Sequence, residues 1–243
     1  MIVEKINIDG GFIITPKKYE DERGYFMESF NLKEFKDKTG LNDIEFVQDN
    51  ESVSFFNVLR GMHYQKDEHA QAKLVRVVQG KVFDVIVDLR PNSKTYGEWY
   101  GVELSEENNK QLFIPRGCAH GFYVMSENGA KFQYKCDNYY DKNSESGIMW
   151  NDETIGIKWP FDISIITPII SEKDTIYPKL KPWLFRLVKE KNDLKNKIEL
   201  LSKFIISPEY TNLNIDEQKD LQEQLQVMTN YVKILQRRIN RNQ

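Results

Sequence analysis

The sequence predicts an all-β jelly roll, a sandwich or barrel of short strands, followed by a C-terminal α-helical hairpin. Three observations carry this expectation. Short β-branched and aromatic runs alternate with turn residues through residues 1–182. Beyond Pro182, apolar residues recur at alternating spacings of three and four, the period of a helical seam. The length of 243 residues suits one large β domain with an appendage, and 40% hydrophobic residues are enough to build a core. The expected division is a β domain over 1–182 and a helical hairpin over 183–243.

The clearest β signal is KLVRVVQGKVFDVIVDLR, residues 73–90. Two strands flank Gln79-Gly80, a natural hairpin turn. In the second strand Phe83, Val85, Val87 and Leu89 share one face, and Val82, Asp84, Ile86 and Asp88 share the other. Acids on one face predict a strand between a packed side and a polar cavity. Further strands are expected at Gln111–Ile114, Gly121–Met125 and Lys131–Tyr134.

In the hairpin one seam runs through Leu184, Leu187, Lys191, Leu194, Ile198, Leu201 and Ile205. The other runs through Leu221, Leu225, Met228, Val232, Leu235 and Ile239. Asn214, with Glu217 three residues later, is the cap that starts the second helix. Lys191 interrupts an apolar seam, so the packing is not a simple zipper. The two helices are expected to bury their seams against each other.

Formal net charge is -3, so no global basic field points to nucleic acid. The helical part carries 11 Lys/Arg against 8 Asp/Glu from residue 184 on, too small an excess to change that. No stretch approaches the roughly 18 apolar residues of a membrane span. The opening MIVEKINIDG lacks the apolar run of a secretory signal. The two cysteines, Cys118 and Cys136, are then expected as thiols. These features predict a soluble, cytoplasmic protein with neither nucleic acid nor membrane as partner.

The chain has three histidines, His63, His69 and His120. Pro115-Arg116-Gly117-Cys118-Ala119-His120, entering an aromatic strand, resembles the second sequence motif of cupins, small β-barrel jelly rolls. The first cupin motif has a His-x-His pair, then a Glu, then a Gly seven residues after it. Here Lys73 stands in the Glu position, seven residues before Gly80, and the His pair is reduced to Asp67-Glu68-His69. An ammonium in place of a carboxylate ligand repels a dication, so no metal is expected. A buried cation beside a histidine suits the stabilisation of a developing oxyanion.

Blocks along residues 1–180 then resemble, in order and spacing, the dTDP-4-dehydrorhamnose 3,5-epimerase family. They are DERGYFMESF (21–30), FVQDN (46–50), NVLRGMHYQ (57–65), KLVR (73–76), IPRGCAHGF (114–122), Tyr134-Lys135 with Asn138-Tyr139-Tyr140, Trp150-Asn151-Asp152, and Ser171-Glu172-Lys173-Asp174. The resemblance implies a role for each matching residue. His63 is the general base, Asp174 the carboxylate that orients it, Tyr134 the acid on the opposite face of the sugar, and Lys73 the cation beside the C4 oxygen. Arg23, Glu28, Gln48, Asn50, Arg60, His120, Glu145 and Lys173 take ligand-binding positions. Phe26 and Tyr139 stand beside the nucleotide base. It also implies a homodimer with N-terminal strands and aromatics packed between subunits.

These residue types fit the chemistry. A C4 ketone acidifies the protons at C3 and C5, and removal of either leaves an enolate on O4. A cation stabilises that charge in a site shielded from water. A histidine takes the proton, and a tyrosine hydroxyl returns one from the other face. No metal, nicotinamide or flavin is needed. Arg23 and Arg60 suit a diphosphate. The implied substrate is a nucleoside-diphosphate 4-keto-6-deoxy sugar, with dTDP favoured and GDP the alternative. Other outcomes on the same scaffold are a C3-only epimerase, a keto-isomerase, or a non-catalytic sugar-nucleotide binder. Cys118 stands where the family often has an aromatic, and either widens the pocket or simply repacks the core. The tail, with Ser207-Pro208-Glu209-Tyr210 and Met228-Thr229-Asn230-Tyr231, resembles small helical-hairpin proteins common in tailed phages and prophages. It is expected to add oligomer or protein contacts rather than catalytic groups.

Overall fold

A computed structural model describes residues 1–242. They fall into two compact units. The first holds Met1–Arg90 and Gly97–Lys179; the second holds Pro91–Tyr96 and the chain from Leu180 onward. Among the described residues no helix is long and apolar enough to cross a membrane.

The first unit opens with β1 (Ile2–Lys5), β2 (Phe12–Thr15) and a separate two-stranded hairpin, β3 (Lys18–Asp21) and β4 (Gly24–Met27). A short helix α1 (Leu32–Thr39) precedes β5 (Gln48–Ser54) and β6 (Leu59–Gln65). Then come β7 (Lys73–Gln79), β8 (Lys81–Asp88), β9 (Trp99–Ser105) and β10 (Gln111–Ile114). The last strands are β11 (Cys118–Val124), β12 (Ala130–Cys136) and β13 (Glu145–Gly147). Two antiparallel sheets result, with strand orders β1-β2-β10-β7-β12-β5 and β13-β6-β11-β8-β9. The β7–β8 turn is where the sequence put it, and Gly80 supplies the left-handed φ of +79° that a side chain disfavours.

The core lies between the sheets. Val75, Val77, Leu112, Ile114 and Phe132 from the six-stranded sheet meet Val82, Ile86, Leu104, Phe122 and Val124 from the five-stranded one. The other faces are covered as well. Phe35 of α1 is fully buried with Phe12, Ile14, Leu74 and Phe113 on the outside of the six-stranded sheet. Asn31 caps α1 by accepting the Glu34 N–H at 3.1 Å, and Gly40 ends it at φ +76°. The sequence reading gave no helix before residue 182. Eight residues are too few for a helical period to stand out.

On β8 the sequence expected one packed face and one facing a polar cavity. Both faces are packed. Val82 and Ile86 enter the inter-sheet core, while Phe83 meets Trp159 at 6.2 Å on the other side. The acids remain tolerable because each has a partner. Asp84 pairs with His120 at 2.9 Å and Asp88 with Arg90 at 2.7 Å.

The second unit contains α2 (Pro182–Ile205), a short α3 (Pro208–Thr211) and α4 (Ile215–Asn240). Pro182 occupies the first turn, where its missing N–H costs nothing. Asn214 caps α4 by accepting the Glu217 N–H at 2.8 Å, as its spacing predicts. Leu187 and Val188 near the start of α2 cluster with Leu235 and Ile239 near the end of α4, so the helices run antiparallel. Tyr96 belongs to the same cluster. Lys191 is fully buried, and its ammonium donates to Pro91 O at 2.9 Å and Asn92 Oδ1 at 3.0 Å. Asn192 donates to Ser93 O at 2.7 Å. The odd lysine of the seam is thus a hydrogen-bond anchor for residues 91–96. Towards the α3 turn the seam is only half-buried, from Leu194 to Ile205 and from Leu221 to Val232.

Lys191→Met keeps the apolar stem and strands two acceptors. It should cost about 1–3 kcal/mol in the second unit, against about 1 kcal/mol for Asn214→Ala. Hydrogen exchange of the α2 and α4 amides measures both, and the Lys191 variant is expected to lose more protection.

Candidate active site

A cavity of about 480 Å³ opens between the two sheets of the first unit. Its walls come from opposite sheets. On one side β6 presents Arg60 and His63, and β11 presents His120 and Phe122. On the other β7 presents Lys73, and β12 presents Phe132 and Tyr134. The turn Glu172–Thr175 adds Lys173 and Asp174. Volume and mixed lining suit a small organic ligand with polar groups.

Strand register brings these groups together. His63 and His120 are direct partners across β6 and β11, and Gly147 of β13 flanks His63 on its other side. Close approach is needed here. At Gly61, where φ is +121°, an added Cβ would lie 2.5 Å from Gly121 Cα. Across the cavity Lys73 pairs with Cys136, two residues beyond Tyr134, so Lys73 and Tyr134 point the same way. The Lys73 ammonium lies 5.8 Å from the Tyr134 ring centre.

His63 Nε2 meets Asp174 Oδ1 at 2.5 Å, and Asp174 Oδ2 accepts the Gly61 N–H at 3.2 Å. Burial works to raise the Asp174 pKa, but the hydrogen bond and charge of His63, with the Gly61 and Ser171 contacts, hold it below its ordinary value. An ionised carboxylate only accepts, so Nε2 carries the proton and Nδ1 is left as the basic nitrogen. Burial pushes the Lys73 ammonium down and the Tyr134 phenol up. His120, in the cavity wall, is backed by Asp84, which does not line the cavity, and burial raises the Asp84 pKa against the opposing effect of His120. The sequence reading gave Asp84 no role, although its place on an inward-facing period of two was the available signal.

The remaining predicted residues divide. Arg60 is held by Ser54 Oγ at 2.8 Å. Gln48 and Asn50 share a face of β5 with the cavity residue Ser52, and Gln48 Nε2 donates to Asn50 Oδ1 at 2.9 Å. Glu145 accepts from Tyr140 at 2.8 Å, from Tyr177 at 3.4 Å and from Lys173. Tyr139 is 65% exposed and does not line the cavity. Arg23, Phe26 and Glu28 sit on or just after the β3–β4 hairpin, and the single chain does not bring them to the cavity. Arg23 pairs with Asp21 at 2.5 Å, and Phe26 is 69% exposed.

His69 also stands apart from the cavity, 3.6 Å from Glu68. Among the described residues no three His, Cys, Asp or Glu side chains converge as a metal site. Cys118 lies in the inter-sheet core rather than in the cavity, so core neighbours fill in around its small side chain and it does not widen the pocket; burial pushes its thiol up to about 12. Cys136 is buried beside Lys73, and burial pushes its thiol up to about 11.

A family model described as dTDP-4-dehydrorhamnose 3,5-epimerase matches residues 5–182, and one described as Sequestin matches residues 181–241. The chain is 52% identical over 180 residues to dTDP-4-dehydrorhamnose 3,5-epimerase of Salmonella typhimurium, covering 74% of this chain and 96% of that one. It is similar to the crystal structure of dTDP-6-deoxy-D-glucose-3,5-epimerase from Legionella pneumophila in complex with dTDP-4-keto-L-rhamnose. The TM-score is 0.69 at 46% identity, over 73% of this chain and 92% of that one. A 3'-monoepimerase from Streptomyces bikiniensis, in complex with dTDP-quinovose, matches with a TM-score of 0.65 at 31% identity, over 72% of this chain and 85% of that one. With nearly three quarters of its length matched by the first family model, the chain belongs to the dTDP-4-dehydrorhamnose 3,5-epimerase family.

Proposed function

We propose that this chain inverts C3 and C5 of a nucleoside-diphosphate 4-keto-6-deoxy sugar, dTDP-linked by family, without a metal or redox cofactor. The observation that carries the reading is the opposition of His63 on one cavity wall to Tyr134 and Lys73 on the other. His63 Nδ1 takes the proton from the carbon beside the ketone, and the C–H electron pair moves onto O4 as an enolate. The Lys73 ammonium, with His120 on the facing wall, meets that charge. The Tyr134 hydroxyl gives its proton to the opposite face, the ketone reforms, and the imidazolium and phenolate left behind exchange with solvent. Asp174 supports the imidazolium while it lasts. Arg60 and Lys173, at the cavity, suit the diphosphate.

Higher identity to the double epimerase than to the single-centre enzyme supports inversion at both carbons. In heavy water, wild-type protein should place deuterium at C3 and C5 of the dTDP sugar, and the GDP sugar run alongside tests the base. One exchange would mean a single-centre enzyme; none with either nucleotide would mean a binder. His63→Ala should lower turnover roughly 100- to 10,000-fold. Tyr134→Phe should lose inversion by a similar factor while some exchange at C5 survives, because deprotonation still works.

The metal-free reading rests on Lys73, whose charge opposes a dication. Turnover after exhaustive EDTA treatment is expected to match the untreated enzyme. Loss of turnover that a divalent metal restores contradicts it.

The protein is further read as a homodimer. Arg23, Phe26 and Glu28 are remote from their own cavity, and the hairpin that carries them exposes Tyr19, Tyr25 and Phe26. A partner subunit would both cover that apolar surface and receive those ligand groups. The helical unit is read as an interaction surface. Truncation after Trp183 should leave turnover intact, and a fall in oligomeric mass by light scattering, beyond the lost residues, would mark the helices as an assembly element.

A further inference from the structure

We propose that Tyr177 is a positioning residue for His63, a reading that rests on His63 acting as the base. Tyr177 lies outside the cavity lining, and the role assigned to it acts through His63. Its ring stands 5.5 Å from the imidazole, centre to centre, at 62°, within the range of edge-to-face aromatic pairs. Asp174 holds His63 through one ring nitrogen only. A single hydrogen bond, made close to the Cβ–Cγ axis, still lets the imidazole rock about that bond, and this pivot moves Nδ1 away from a carbon-bound proton. The Tyr177 ring blocks that pivot.

Tyr177 is half-buried and has contacts of its own. Its hydroxyl donates to Glu145 Oε1 at 3.4 Å. Burial and the charges of Glu145 and Asp174 push the phenol pKa well up, so it stays a donor. The ring lies over Gly147, the strand partner of His63; a Cβ there would come within 2.8 Å of both Cδ atoms. The next residue is pinned too, because Pro178 O accepts the Met149 N–H at 3.1 Å. Asp174 and Tyr177 lie three residues apart along one turn of chain. That turn therefore delivers both the hydrogen bond and the wall.

The test compares Tyr177→Leu, which removes the ring, with Tyr177→Phe, which keeps it. Misplacing a reacting group by about 1 Å costs on the order of 100-fold. A lost side wall should therefore lower kcat for exchange at C3 and C5 by roughly tenfold, with KM little changed. Tyr177→Phe should restore kcat close to wild type. Three histidines make the imidazole NMR spectrum assignable, with His63→Asn identifying the His63 signal. That signal should be sharp in wild type and Tyr177→Phe, and broadened or doubled in Tyr177→Leu. The NMR readout needs no substrate, so it stands even if no sugar nucleotide turns over. A wild-type cross-relaxation contact between the Tyr177 and His63 ring protons is expected as well, and its absence overturns the proposal even if the leucine variant does not fold. Wild-type kcat with a sharp His63 signal in Tyr177→Leu also overturns it. So does Tyr177→Phe behaving like Tyr177→Leu, which would put the effect in the hydroxyl rather than the ring.

Discussion

The pairing of Asp174 with His63 is the constraint around which the site is arranged. One carboxylate accepts from the histidine ring and from the Gly61 backbone, so it ties the turn at 172–175 to β6 at two points. Asp174 is 2% exposed, which removes water as a competing partner. Its depressed pKa keeps the acceptor ionised through the neutral range. As pH falls through that folded value the contact loses its charge, and the stabilisation it gives the turn goes with it. Lys173, adjacent in sequence, reaches Glu145 and so fixes the same turn to β13. The turn cannot move without breaking both ties, and His63 is oriented as a result.

Lys73 sets the electrostatics of the opposite wall. Burial makes its charged form costly, and the acids near it, Glu145 and Asp84, act in the other direction. Such a cation is well placed for transition-state stabilisation. It is poorly solvated in the resting cavity and gains most when an anion forms beside it. The buried pairing of Asp84 with His120 fits this arrangement. It places a second imidazole next to His63 in register while tying it to a different carboxylate. The two histidines are therefore neighbours that do not share a partner.

Much of this was legible in the sequence because strands obey a period of two. The β7–β8 hairpin and β10 follow from alternation and one glycine turn, and Lys73 was marked by its spacing from Gly80. The helical seams and the Asn214 cap follow from local spacing. What alternation cannot reveal is what covers the outer face of a sheet. Phe35 of α1 on one side and Trp159 on the other bury positions that the period alone leaves exposed. Long-range pairings were equally hidden. Asp174 is 111 residues from His63, and only the resemblance linked them. Tyr177 and Asp84 fell outside the matched roles; alternation marks Asp84 as an acid on a packed face but cannot name His120 as its partner, and Tyr177 has no local signature.

Lys191 shows the same limit from the opposite direction. Sequence periodicity marked it as an anomaly in an apolar seam and could go no further. The acceptors that resolve it, Pro91 O and Asn92 Oδ1, belong to the β8–β9 connection about 100 residues earlier. A buried ammonium with carbonyl partners contributes specificity as much as stability. Its hydrogen bonds are satisfied in one register of α2, and sliding the helix by a turn would leave the charge without them. Asn192 adds a second bond to the same connection at the next position, which narrows the register further. The apolar cluster of Tyr96, Leu187, Val188, Leu235 and Ile239 then packs around an alignment already chosen by polar groups. In the second unit, as at the His63 site, a few directional bonds select the geometry and the non-directional packing holds it.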